Sequence, residues 1–277
     1  MKRETIIAGN LISRRYYFPP VRTSGEKRAK KQNPTRDEVM KINRKNSERE
    51  LMLKLHHNFS AGDIHAVLTY SGEEPTKEQA KKELQNFFRR LRREFRKTGR
   101  ILKWICVTEY QNHRIHHHVV LSKMDSARLQ ELWTAGRVRP VHLDNTGDYR
   151  QLASYLIKET DKTFRDPEAF SKQRYSCSRT VVSPIRKVEV VKAKEAEEPK
   201  PVKGYHVLED SVYQGVNPIT GIRYMEYMLL SNAPEPRLKV WRRGKRERYR
   251  EKKYDPRPYR REIDGQLEID LEWAGYW

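Results

Sequence analysis

Residues 101–122 read ILKWICVTEYQNHRIHHHVVLS. Two apolar runs, ILKWICVTEY and RIHHHVVLS, flank the short polar QNH, and this pattern predicts a β-hairpin. Four of the nine histidines fall at positions 113–118. On a strand, residues i and i+2 share a face, so His116 and His118 project together and His117 points the other way. Glu109, near the end of the first strand, lies opposite or diagonal to that pair, within side-chain reach. Two imidazoles and a carboxylate can thus converge while leaving positions open for water and substrate, as Lewis-acid chemistry requires. The plainer reading is a strand with exposed histidines. His113 falls in the loop and reads as a solvent or phosphate contact, and His117 as a residue packed under helices.

The neighbouring segments define the fold around this hairpin. Upstream, DIHAVLTYS is apolar on both faces and reads as a central strand. After the turn GEEPT, a helix is expected over roughly 76–98, with Ala80, Leu84, Phe87, Leu91 and Phe95 forming an apolar stripe. Thr76 is its cap, with Gln79 three residues on, and Gly99 its C-terminal stop. Its other face carries Arg89, Arg90, Arg92, Arg93, Arg96 and Lys97. That face is either solvated or laid along a phosphate backbone. Downstream, a short helix is expected from Ser126 to about Ala135, ended by Gly136. RVRPVHLD then reads as a strand in which Pro140 marks an edge position or a bulge, and GDYRQLASYLIKET as a helix. The order is βαββαβ with a final helix. We expect an α+β fold with an antiparallel, ferredoxin- or RRM-like sheet and its helices on one side.

The remainder of the chain is less regular. Residues 1–57 read as a basic arm, partly helical or disordered, with a weak helix beginning near Thr35; residues 1–50 hold 14 Lys or Arg against 6 Asp or Glu. The nuclease-like core is placed at 58–185 and a linker at 186–203. A C-terminal accessory segment follows at 204–277, with a basic run, WRRGKRERYREKKYDPRPYRR, interleaved with aromatics. Across the chain, 34% of the 277 residues are charged, the net charge is +21 and the pI is about 9.9. Such a charge implies a polyanionic partner, and nucleic acid fits best. No run of about 18 apolar residues suggests a membrane span. No secretory signal pattern is evident, and Cys106 and Cys177 form no CxxC pair. We therefore expect a cytoplasmic protein with no membrane partner. No P-loop is visible, so strand separation would need a separate helicase.

In SYLIKE, Tyr155 and Lys158 stand three apart on a predicted helix and share a face. A tyrosine can attack phosphorus when charge at the phosphate is stabilised nearby, although packing alone also accounts for a helical tyrosine. TEYQNHRIHHHVVL followed by LASYLIKET resembles the HUH endonucleases, in particular the rolling-circle replication initiators of phages and plasmids. GDIHAVLTYS looks like the family's first strand motif, and RYSCSRTVVSP resembles a segment that often follows the nuclease domain. The likeness spans roughly residues 58–185. His117 departs mildly from the family pattern, where a bulky residue separates the two histidines. Tyr149, six residues before Tyr155, does not match a two-tyrosine arrangement.

The resemblance implies that Glu109, His116 and His118 bind Mg²⁺ or Mn²⁺, although the ligand set equally suits zinc or non-haem iron. It implies that Tyr155 attacks a phosphate of single-stranded DNA at a replication origin, either a stem-loop or a double-strand origin. A 5′-phosphotyrosine and a free 3′-OH result, and Lys158 orients or neutralises charge. Arg89, Arg90, Arg93, Arg114 and His113 are the expected DNA contacts. A host helicase and polymerase in a bacterial cytoplasm would complete replication. The rival readings are a related relaxase or transposase, or a non-catalytic RRM-like protein that binds single strands.

Overall fold

The structure, a computed structural model, describes residues 1–18, 37–110, 114–163, 171, 173–192, 196–216, 223–233, 260–263 and 266–269. His113, Thr35 and the basic run at 241–259 lie outside these residues. The chain divides into two compact units, Met1–Glu235 and Pro236–Trp277.

The first unit opens with β1 (Lys2–Ala8), β2 (Leu11–Tyr17) and α1 (Asp37–Asn58). Then follow β3 (Ile64–Tyr70), α2 (Lys77–Lys97), β4 (Trp104–Glu109), β5 (His116–Leu121), α3 (Ser126–Leu132), β6 (Gly136–His142) and α4 (Arg150–Thr163). Four further strands complete it: β7 (Ser176–Cys177), β8 (Arg186–Val190), β9 (Tyr205–Val216) and β10 (Arg223–Ser231). In the second unit, β11 (Arg260–Ile263) and β12 (Gln266–Ile269) pair antiparallel.

The segment from β3 to α4 follows the expected βαββαβ order with its final helix. Its sheet is antiparallel, with strand order β6-β3-β5-β4-β7. Pro140 sits on the edge strand β6, where a missing N–H costs no ladder bond. α2 starts at a complete capping box in which Thr76 Oγ1 accepts from Gln79 N and the Gln79 side chain accepts from Thr76 N. It runs into Gly99, whose φ of 65° suits a residue without a Cβ.

The helices cover both faces of this sheet, contrary to the expected single face. Ile64, Ala66, Leu68, Trp104, Cys106, Val119 and Leu121 pack with α2 and α3. The alternate residues Ile105, Val107 and Val120 pack with α1 and α4. The cause is legible in β3, β4 and β5, which are apolar at successive positions and so have two faces to bury.

Residues 2–17, expected within a basic arm, instead form β1 and β2. They join a second five-stranded antiparallel sheet of order β8-β1-β2-β10-β9. β8 falls in the segment expected to be a linker. Ile6, Ala8 and Leu11 pack on Leu51 and Leu55 of α1, so this helix lies between the two sheets. Charge is buried there in compensated form. Arg49 donates to Glu4 Oε1 at 2.9 Å and to Ser13 Oγ at 3.0 Å, and its Nε lies 2.9 Å from Glu226 Oε1. Burial pulls the Arg49 pKa down, and the two carboxylates oppose that effect.

Candidate active site

The register of the first sheet sets the geometry. Glu109 pairs directly with His116, and Val107 with His118. Residues opposite one another on an antiparallel pair share a face. Glu109, His116 and His118 therefore project together toward the α1 and α4 side. Their ligand atoms all lie within 4.8 Å of one another, a group that could hold a metal ion. His116 Nε2 is 3.2 Å and His118 Nε2 3.8 Å from Glu109 Oε2. Glu109 and His118 are buried, and His116 is partly exposed.

The ring nitrogens suit ligation. His118 Nε2 is buried with no hydrogen-bond partner, an arrangement that costs free energy unless something accepts its lone pair. His118 Nδ1 is 3.3 Å from His65 Nε2. A lone pair on His118 Nε2 puts the proton on Nδ1, which then donates to His65. His116 Nδ1 donates to the Arg114 carbonyl at 2.9 Å, which directs its Nε2 to the cluster. Such outer partners fix the tautomer and aim of metal-ligating histidines. Burial first, then the nearby His65 and His116, push the His118 pKa down to about 3. The neutral, ligating form of His118 is thus the resting one.

α4 covers this side. Ala153, Leu156 and Ile157 face the core, leaving Tyr155 on the flank, 44% exposed. Its ring meets His118 edge-on, with centroids 5.3 Å apart. The cluster and the tyrosine are thus neighbours although 37 residues separate them. Lys158 is exposed one turn further along α4. Tyr149 is buried in the core, its ring 5.3 Å from that of His56.

The expected arginines fall elsewhere. Arg89, Arg90 and Arg93 lie on α2, across the sheet from the cluster. Arg90 is committed to the Leu132 carbonyl and Thr134 Oγ1, and Arg89 donates to Asn86. Arg114 is exposed beside the hairpin and donates to the Gly72 carbonyl.

The sequence reading missed His65. Its signal was a polar residue on an apolar strand, which gains meaning only from the register. It also missed two arginines on the cluster's own face. Arg137 pairs with Thr69 and Thr69 with His116, while Arg139 pairs with Val67 and Val67 with His118. Two rows therefore run across the sheet, Arg137–Thr69–His116–Glu109 and Arg139–Val67–His118. At about 4.8 Å between strands, Arg139 stands about 10 Å from His118. Both arginines are exposed.

With the geometry in place, the class is that of a replication-type α+β domain bearing a carboxylate–histidine cluster beside a helical tyrosine. Residues 64–164 match the family model for the replication-associated protein ORF2 family. The matched segment, spanning β3 to the end of α4, is thus a domain of the replication-associated Rep type. No curated protein and no solved structure matches the chain. Among the described residues, no helix is long and apolar enough to cross a membrane.

Proposed function

We propose that this protein nicks and rejoins single-stranded DNA through Tyr155 and so initiates rolling-circle replication. The observation that carries this reading is the edge-on contact between Tyr155 and His118, whose buried Nε2 faces Glu109 unpaired. Glu109, His116 and His118 would hold a divalent ion, with Mg²⁺ or Mn²⁺ suited to phosphodiester chemistry. Bound there, the ion would supply charge stabilisation at the scissile phosphate.

The chain's own groups do the rest. The Tyr155 hydroxyl attacks phosphorus and gives up its proton. A Tyr–O–P bond forms, the P–O3′ bond breaks, and the 3′ oxygen leaves and is protonated. The 3′-OH is then free to prime synthesis with a host polymerase and helicase. Attack of a later 3′-OH on the phosphotyrosine reverses the step and regenerates Tyr155, so joining needs no nucleotide hydrolysis. Lys158, one turn on, offsets negative charge near the tyrosine. Arg137 and Arg139 extend a basic approach to the cluster across β3 and β6, and Arg114 flanks it.

The test is covalent capture on origin-containing single strands. Wild type with Mn²⁺ is expected to give a denaturation-resistant protein–DNA adduct that EDTA prevents. Tyr155→Phe is expected to bind DNA without forming it. An adduct formed by the Phe variant assigns the nucleophile elsewhere.

A further inference from the structure

A groove of about 860 Å³ lies on the opposite side of this sheet, between α2 and residues 171–176, along the outer edge of β4. Four cations line it: Lys81, Arg89, Arg92 and Arg174. Among the described lining residues there is no carboxylate. Lys81 and Arg92 are exposed, on the same stripe of α2. Arg174 donates to Thr160 Oγ1 at 3.3 Å, which fixes it at the wall. The floor is rigid and aromatic, for Phe88 and Trp104 stack with centroids 3.8 Å apart and rings within 12° of parallel. The side-chain amides of Gln85, Asn86 and Gln173 also line the groove, and these can donate to and accept from base edges.

Cations around an aromatic floor match what a nucleic-acid strand offers, phosphates and flat bases. α4 connects the groove with the proposed nucleophile. Thr160, at the groove, follows Tyr155 by five residues, about 7.5 Å along the helix axis at 1.5 Å per residue.

We propose that this groove is a second single-stranded DNA site. It would hold nucleotides flanking the scissile phosphate after the strand has passed around the β4 edge. The proposal gives the α2 arginines a DNA role away from the metal face. It rests on the reading of the chain as a single-strand DNA enzyme.

The experiment measures binding of labelled thymidylate oligomers to the full chain in EDTA, so that no cleavage occurs. Oligomers of about 6 and about 16 nucleotides span the range from one site to two. Lys81→Ala/Arg92→Ala is compared with Arg93→Ala/Arg96→Ala, which removes the same charge from α2 outside the groove. The groove variant is expected to bind the long oligomer at least about tenfold more weakly and to lower its salt slope by about 1.4, at about 0.7 per phosphate contact. The short oligomer is expected to bind both variants as it binds wild type. Equal losses for the two double variants, or equal losses on both oligomers, would overturn the proposal. So would displacement of the long oligomer from wild type by thymidine monophosphate at matched phosphate concentration, because a free nucleotide would then be the ligand. Thermal unfolding of both variants should match wild type; a groove variant that binds weakly because it is partly unfolded would lose affinity for the short oligomer as well. Failure of the underlying reading looks different, since wild type would then bind neither oligomer or Tyr155→Phe would still form the covalent adduct.

Discussion

His117 and His118 are adjacent on β5, yet the two faces of the sheet give them opposite roles. His117 is fully buried among α2, α3 and Trp133, and both ring nitrogens have partners. Thr108 Oγ1 is 2.9 Å from Nδ1, and Tyr70 Oη is 2.8 Å from Nε2. One arrangement of protons satisfies the group: Thr108 donates to Nδ1, Nε2 donates to Tyr70, and Tyr70 donates to the Ala80 carbonyl at 3.1 Å. His118 is equally well buried but keeps Nε2 unpaired beside Glu109 and Tyr155. A saturated buried histidine is a structural part, whereas one buried with a spare lone pair is poised for a ligand. Composition and spacing cannot separate the two; the pleat and the partners do.

Four substitutions probe this difference. His118→Ala is expected to abolish Mn²⁺ binding in calorimetry while the protein stays folded; retained affinity would remove His118 from the site. His117→Ala should leave Mn²⁺ affinity within a few-fold of wild type. Its thermal or urea unfolding should report a loss of about 2–4 kcal/mol, from the cavity and from two buried hydroxyls left without their partner. If His117→Ala instead lost the metal without loss of stability, the assignment of faces would be reversed. His65→Ala should weaken Mn²⁺ binding by about 10–100-fold, the usual cost of removing an outer partner of a ligating histidine. Smallest, Tyr70→Phe removes one hydroxyl from the dry network and should cost about 1 kcal/mol in unfolding, with no change in metal affinity.

The second contrast is between the arginines of the two faces. Those on α2 are conspicuous in the sequence because they cluster within one helix. Arg137 and Arg139 are an ordinary alternating pair, and only the pairing of β6 through β3 to β5 places them on the face of the cluster. Local features were readable: the β4–β5 hairpin from alternation, the start of α2 from its capping box, the edge placement of Pro140. The convergence of Glu109, His116 and His118 was readable for the same reason, because it needs only one hairpin and a period of two.

The second sheet was not readable, for two reasons. Its strands come from residues 2–17, 186–190 and 205–231, so no local pattern announces the pairing. Its buried side toward α1 also carries Glu4, Ser13 and Glu226, which resemble solvent-facing residues until Arg49 is seen between the two carboxylates. Charge that is neutralised internally looks exposed in a sequence. The helices on both faces of the first sheet were missed because α1 lies ahead of the βαββαβ unit and seemed to belong to an arm.

The position of α1 has a practical consequence for anyone wishing to isolate the site. The family likeness begins at Ile64, the first residue of β3, and so leaves this helix out. Leu51, Leu55 and Phe59 belong to the apolar cluster that covers Ile105, Val107 and Val120, directly behind the histidines. A fragment trimmed to 64–164 would leave those side chains wet and would be expected to self-associate on a sizing column. Recognisable ancestry and the smallest autonomous folding body therefore have different borders in this chain.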